Sequence, residues 1–232
     1  MTAPVAIITG AGSGIGRATA IALASKGYRL TLCGRRTSPL HETAKLAGNG
    51  LTIAADVTQP KDIDRIVENT LSEFGRIDAI VNNAGLAPVR SIEEMSIENW
   101  HAVIDTNLSA AFYLSKAVWP IFKRQGGGAV VNLSSMAARD PFPGFLAYGT
   151  AKAGLNLFSL ALAREGANIG VRVYTIAPGA VETEMFRGIM NPEQFPTERT
   201  LQPADVARII VQCIAGDLQF TSGEVIWMRK TT

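Results

Sequence analysis

Short apolar runs alternate with longer amphipathic stretches along almost the whole chain. The first run, PVAIIT at 4–9, has no polar alternation and stops at Gly10, the pattern of a strand buried on both faces. Ile15, Ala18, Ala22 and Leu23 then recur at helical spacing within 15–26, and Gly27 closes the stretch. The same reading predicts strands at 28–33, 51–55, 77–81, 129–133, 171–176 and 224–228. Helices are predicted at 38–47, 61–74, about 97–125, 148 to about 167, and 204–214. Residues 183–202, with prolines at 192, 196 and 203, read as an irregular excursion. Fully apolar strands alternating with helices predict an α/β, doubly wound domain, with a parallel seven-stranded sheet and helices on both faces. No linker or internal repeat interrupts the pattern, so one domain over 1–232 is expected.

Composition narrows the function. The 232 residues are 47% hydrophobic and 18% charged, as in an ordinary globular protein. The net charge is +2 and the basic residues are scattered, which predicts no nucleic-acid partner. Cys33 and Cys213 are far apart, which suggests buried thiols in a reducing compartment. Neither His41 nor His101 has a Cys or carboxylate at ligand spacing, so no metal is expected. There is no basic leader and no apolar run of eighteen residues, so the expectation is a cytoplasmic protein without a membrane segment.

Three stretches carry chemistry. Gly10-Ala11-Gly12-Ser13-Gly14-Ile15-Gly16 lies between the first strand and the first helix. Its glycines allow a tight turn and close approach of a pyrophosphate to the helix amides. Arg17-Ala18 follows where a nucleotide-triphosphate loop would carry Lys-Ser/Thr. After the second strand the chain offers Gly34-Arg35-Arg36 instead of the acid that would take a free ribose 2′-hydroxyl. An arginine fork there suits a 2′-phosphate, unless both arginines merely solvate the turn. Further on, Ser135 is followed thirteen residues later by Tyr148, and four after that by Lys152. Tyr148 and Lys152 share a helix face, and an ammonium beside a phenol favours the phenolate.

In this order and spacing the motifs identify the chain as resembling the short-chain dehydrogenase/reductase family over almost its whole length. They are TGAGSGIG at 9–16, DV at 56–57, NNAG at 82–85, Asn107, the SS-then-YGTAK segment and PGAVET at 178–183. The resemblance implies a Rossmann-type fold with a cofactor half at about 1–130, a catalytic and substrate half at about 131–232, and a variable lid at about 183–203. It implies a catalytic tetrad of Asn107, Ser135, Tyr148 and Lys152, with Ser134 structural. Asp56 would meet the adenine amino group beside Val57, and Asn82, Asn83, Ala84 and Gly85 would pack around the adenosine side and steady the sheet. Arg35, with Arg36, would prefer NADP(H) over NAD(H). Pro178, Gly179, Val181 and Thr183 would contact the nicotinamide. Asn107, at a kink in its helix, would hold a water relaying protons to Lys152, or would cap the helix after Thr106. Many family members end in Val-Asp-Gly-Gly where this chain has EVIWMRKTT, and the lid is rather short.

The expected activity is hydride transfer between nicotinamide and a carbonyl or secondary alcohol, with Tyr148 as general acid and base. Ala137, Phe142, Phe145, Met185 and Phe186 would face the substrate, with Leu86, Ala87 and Ala180 nearby, which suggests a hydrophobic compound. Arg90, Arg139 or Arg187 could instead hold a carboxylate or be solvated. The alternatives are an NAD(H)-linked alcohol dehydrogenase, a dehydratase or epimerase, and a non-catalytic NADP(H)-binding regulator. A homodimer or homotetramer is implied, with Leu155, Phe158 and Leu162 facing either a partner or the core.

Overall fold

The computed structural model describes residues 2–230. Seven parallel strands form one sheet: β1 (Val5–Thr9), β2 (Arg29–Gly34), β3 (Leu51–Ala54), β4 (Ala79–Asn82), β5 (Gly128–Leu133), β6 (Val171–Pro178) and β7 (Val225–Met228). Their spatial order is β3-β2-β1-β4-β5-β6-β7. The helices are α1 (Gly14–Ala24), α2 (Thr37–Leu46), α3 (Pro60–Phe74), α4 (Ile97–Ile104), α5 (Ala110–Gln125), α6 (Leu146–Gly166), the single turn α7 (Glu184–Arg187) and α8 (Pro203–Ala215). This is the doubly wound Rossmann-type α/β fold.

The apolar runs follow from the two-sided burial. In β1, Ala6 and Ile8 pack with Ala20 and Leu23 of α1 and Val206 and Ile210 of α8. Ile7, between them, points the other way, into Ile63 and Ile66 of α3 and Leu114 and Val118 of α5. A strand covered on both faces favours apolar residues at successive positions. Strand order reverses between β1 and β4, so the loops leaving their C-terminal ends diverge and open a crevice.

Three polar side chains are buried near that crevice and satisfy one another. Asn82 Nδ2 donates to Asn132 Oδ1 at 2.8 Å, and Asn132 Nδ2 donates to Ser159 Oγ at 2.8 Å. Ser159 Oγ donates in turn to the Leu155 carbonyl at 2.7 Å. The chain of bonds runs from β4 through β5 into α6, fixing that helix against the strand ends. Asn82 thus steadies the sheet.

The structure departs from the sequence pattern in four places. Strand β4 begins at Ala79, not Ile77, because Gln125 takes both backbone groups of Ile77, at 3.2 and 2.6 Å. The predicted helix at 97–125 is continuous but contains a π-helical turn, Asp105–Ser109, around Asn107. Helix α6 starts at Leu146, two residues before Tyr148, and Gly149 N donates to the Phe145 carbonyl at 2.7 Å. The excursion at 183–202 holds α7 and a 3-10 turn, Thr197–Arg199.

The C-terminal segment completes the sheet as β7, with Gly179 N donating to Met228 O at 2.8 Å. Thr231 and Thr232 lie outside the described residues. Leu155 is buried and Leu162 packs against the core, whereas Phe158 is half-buried and meets Phe112 edge-on at 6.4 Å. Among the described residues no helix is long and apolar enough to cross a membrane.

Replacing Asn132 by valine takes the acceptor from Asn82 Nδ2 and one donor from Ser159 Oγ, and should lower the unfolding free energy by about 2 kcal/mol in urea titrations. A loss below about 0.5 kcal/mol would show that the polar chain does not hold α6.

Candidate active site

The crevice is a cleft of about 970 Å³ running across the C-terminal ends of the strands. Of the expected catalytic, cofactor and substrate residues, all but Gly16, Asn82 and Asn107 line it.

At one end β1 turns sharply into α1. Gly10 and Gly14 have φ of 63° and 51°, where a side chain would strain the backbone. Gly16 acts from behind. A Cβ there would collide with the Gly10 carbonyl and the Asn83 amide, so Gly16 allows the turn to pack on β4. Asn83 Nδ2 closes the contact, donating to Thr9 O at 2.9 Å and Gly10 O at 3.1 Å. Arg17 clamps the turn from outside, donating to Gly12 O at 2.7 Å and pairing with Glu42 at 2.8 Å. Sequence reading did not assign this role to Arg17, because its partners come from α2. The first turn of α1 carries no acid and no side-chain cap, so its amides remain available to an anion. A dinucleotide pyrophosphate fits this end.

Arg35 and Arg36 follow β2 on the exposed rim of the cleft, and among the described residues neither enters an ion pair. Asp56 Oδ1 accepts from the Thr58 backbone at 3.0 Å and hydroxyl at 2.8 Å, which sets the carboxylate's direction. Pro39, Leu40 and Thr58 also line this part of the cleft, although no motif marks them.

Ser135, Tyr148 and Lys152 converge at the middle. Ser135 follows β5 and caps a short 3-10 turn, accepting from Ala137 N at 3.1 Å. A Cβ at Gly149 would sit 2.8 Å from the Ala137 carbonyl, so the glycine beside Tyr148 lets this turn lie directly on α6. The Ser135 hydroxyl can then bond the Tyr148 phenol. Lys152 is 3% exposed, and its Nζ donates to Leu133 O at 2.6 Å, 5.6 Å from the centre of the Tyr148 ring. Ser134 takes no part in this convergence, since its hydroxyl donates to the Lys152 carbonyl at 3.3 Å.

Burial dominates the titration of this pair. It pushes the Lys152 ammonium down to about 7. It raises the Tyr148 phenol above its ordinary value, and the Ser135 hydrogen bond opposes that only in part. The expected lowering of Tyr148 by Lys152 is thus not found, because low-dielectric surroundings penalise phenolate and ammonium alike.

Asn107 stands behind the cleft. Its Nδ2 donates to Leu86 O at 2.7 Å and Val103 O at 2.9 Å, and its Oδ1 accepts from Leu86 N at 3.4 Å. The side chain pins the Leu86 loop.

The far end is apolar. Phe142, Phe145 and Tyr148 form a row of rings with centres 5.8 and 5.5 Å apart. Met185 and Phe186 face them from α7, and Phe195 meets Phe186 edge-on at 5.4 Å. Arg187 holds this lid together. It pairs with Glu182 through two nitrogens, Nε at 2.6 Å, and donates to the Phe195 carbonyl at 2.8 Å. Arg139 lies 5.1 Å over the Trp227 ring, and Arg90 is exposed outside the cleft. None of these three arginines lines the cleft, whereas Asp140 and Glu184 do and contribute the opposite charge. Ile189, Met190 and Phe195 also line this end, and sequence pattern could not find them in an irregular segment.

Among the described residues no three of His, Cys, Asp or Glu converge as a metal site requires. Residues 4–194 match the family model described as short chain dehydrogenase. A 3-oxoacyl-(acyl-carrier-protein) reductase of Synechocystis is 38% identical over 219 residues, covering 90% of this chain and 88% of the relative. A cyclohexanol dehydrogenase of Acinetobacter is 35% identical over 227 residues, 94% of this chain and 90% of the relative. The crystal structure of a 3-ketoacyl-(acyl-carrier-protein) reductase from Brucella melitensis complexed with NADH superposes with a TM-score of 0.92 at 29% identity, covering 98% of this chain and 97% of that one.

Between pH 7 and about 10, unfolded Lys152 binds a proton that the folded site rejects, so this group's penalty is full below pH 7 and fades as pH rises. Lys152→Met should therefore be more stable than the parent below pH 7 in denaturant titrations, with the advantage shrinking towards pH 10. An advantage that grew with pH would contradict the buried-cation account.

Proposed function

The chain belongs to the short-chain dehydrogenase/reductase family, an oxidoreductase family using nicotinamide cofactors, and from that premise we propose that it interconverts a hydrophobic carbonyl compound and its secondary alcohol with NADP(H). The observation that carries the proposal is the convergence of Ser135, Tyr148 and Lys152 between an anion-ready glycine turn and an apolar cleft end. Similarity to reductases of oxoacyl groups and to a cyclohexanol dehydrogenase supports a carbonyl–alcohol pair.

The cofactor, when bound, supplies or accepts the hydride. Tyr148, raised by burial, holds its proton at neutral pH and donates it to the carbonyl oxygen. Ser135 donates a hydrogen bond to the same oxygen as negative charge develops there, an interaction stronger in the transition state than in the ground state. Lys152, titrating near 7, moves a proton towards Tyr148 and, when charged, lessens the cost of a phenolate. Gly10, Gly12, Ser13, Gly14 and Ile15 hold the pyrophosphate, and Asp56 and Val57 the adenine. Pro178, Gly179, Val181 and Thr183 hold the nicotinamide. Arg35 and Arg36, without ion-pair partners, take the 2′-phosphate. Asn107 is a positioning residue that acts through Leu86. A lid at about 183–203 covers the substrate.

Tyr148→Phe should fold and bind NADPH while losing about a thousandfold in kcat. Near-parental turnover in that variant would remove the assignment. Arg35→Asp should raise KM for NADPH about tenfold or more while changing KM for NADH little. Equal losses with both cofactors would refute the 2′-phosphate role.

A further inference from the structure

A second cavity of about 550 Å³ adjoins the apolar end of the cleft. Ala87, Phe142, Phe145, Ile189 and Met190 line both, so the two spaces share a wall. Pro88, Val89, Pro143 and Gly188 line the second cavity alone.

Its walls are built rather than incidental. Arg90 N donates to Gly144 O at 3.0 Å, joining the loop after β4 to the loop before α6. Gly144 has φ of 88°, and Val89 Cγ1 lies 2.6 Å from where its Cβ would be, so only glycine permits this approach. On the lid side, Arg187 holds the carbonyls of Met190 and Phe195, at 3.4 and 2.8 Å.

The chamber's two side chains with strong polar groups are engaged with their own loops. Gln194 Oε1 accepts from Asn191 N at 3.1 Å, and Arg90 Nη1 donates to Val89 O at 2.9 Å. The other lining side chains are apolar, with Gln194 Nε2 and the remaining Arg90 nitrogens on the exposed rim, and Phe142 and Val89 are 52% and 40% exposed. Large apolar side chains gathered at the rim of a cleft favour an apolar occupant.

We infer that this chamber takes the distal end of an elongated substrate, a linear alkyl substituent whose carbonyl lies at Ser135 and Tyr148, so that the enzyme selects its substrates by chain length. The position of the carbonyl rests on the function proposed above; the occupancy of the chamber does not. Each methylene that enters should raise affinity about three- to fourfold until the chamber is full.

Two ligand series with NADPH present test this. Methyl alkyl ketones of rising length are followed as substrates, and N-alkyl acetamides, which accept no hydride, are followed by calorimetry. Both kcat/KM and acetamide affinity should climb about threefold per methylene and then level off. Gly188 has φ of −70°, and a Cβ there would meet the Glu184 and Met185 carbonyls at 3.4 and 3.5 Å, ordinary contact distances, so Gly188→Phe is compatible with the backbone. That variant, and independently Val89→Trp, should cut the long-to-short ratio about tenfold in both series. A flat acetamide series, or a ratio that neither variant moves, overturns the chamber assignment whether or not the ketones react. If no ketone turns over while acetamide affinity still climbs and the variants still suppress the climb, hydride transfer is the reading that fails and the chamber stands.

Discussion

The bond from Lys152 Nζ to the Leu133 carbonyl is the contact on which the site's geometry depends. It joins α6 to the end of β5 at a position almost closed to water, where an ammonium has few other partners. Burying that cation costs stability, and the surrounding structure offsets the cost. The Asn82–Asn132–Ser159 chain holds α6 against the sheet, and Gly149 lets the turn carrying Ser135 approach the helix. The same confinement explains why phenol and ammonium titrate in opposite directions. A site that disfavours both charges keeps the tyrosine protonated and the lysine near neutrality, the state from which a proton is most readily passed on.

The arginines divide the cleft by chemistry. Arg17 secures the glycine turn, Arg187 closes the lid, and Arg139 stacks on Trp227, so these three cations are engaged in holding the protein together. Arg35 and Arg36 remain without ion pairs at the rim beside Asp56. Positive charge is therefore concentrated at the glycine end, and the opposite end presents aromatic rings, methionines and two acids. A dinucleotide phosphate and an uncharged apolar carbonyl compound are complementary to such a gradient.

The fold was legible because a sheet buried on both faces favours apolar residues at successive strand positions, as Ala6, Ile7 and Ile8 illustrate. Errors of boundary arose where a distant side chain intervened, as when Gln125 captured the backbone of Ile77. The glycine turn and the Tyr148–Lys152 spacing were legible because their chemistry needs particular residues at fixed separations. Asn107 was legible as a special position but not in its use. A π-helical turn directs its amide at Leu86, and hydropathy carries no signal for that extra residue.

Sequence alone thus determined the alternation of strands and helices, the Tyr148–Lys152 spacing on one helix face and the glycine turn between β1 and α1, since each follows from local periodicity or local backbone freedom. Only the tertiary structure decided that Tyr148 is raised rather than lowered, that Arg187 is a clamp rather than an anion site, and that Phe142, Ile189 and Met190 open onto a second chamber. Those outcomes depend on burial and on partners far apart in the chain, and burial is a property of packing that no single stretch of sequence contains.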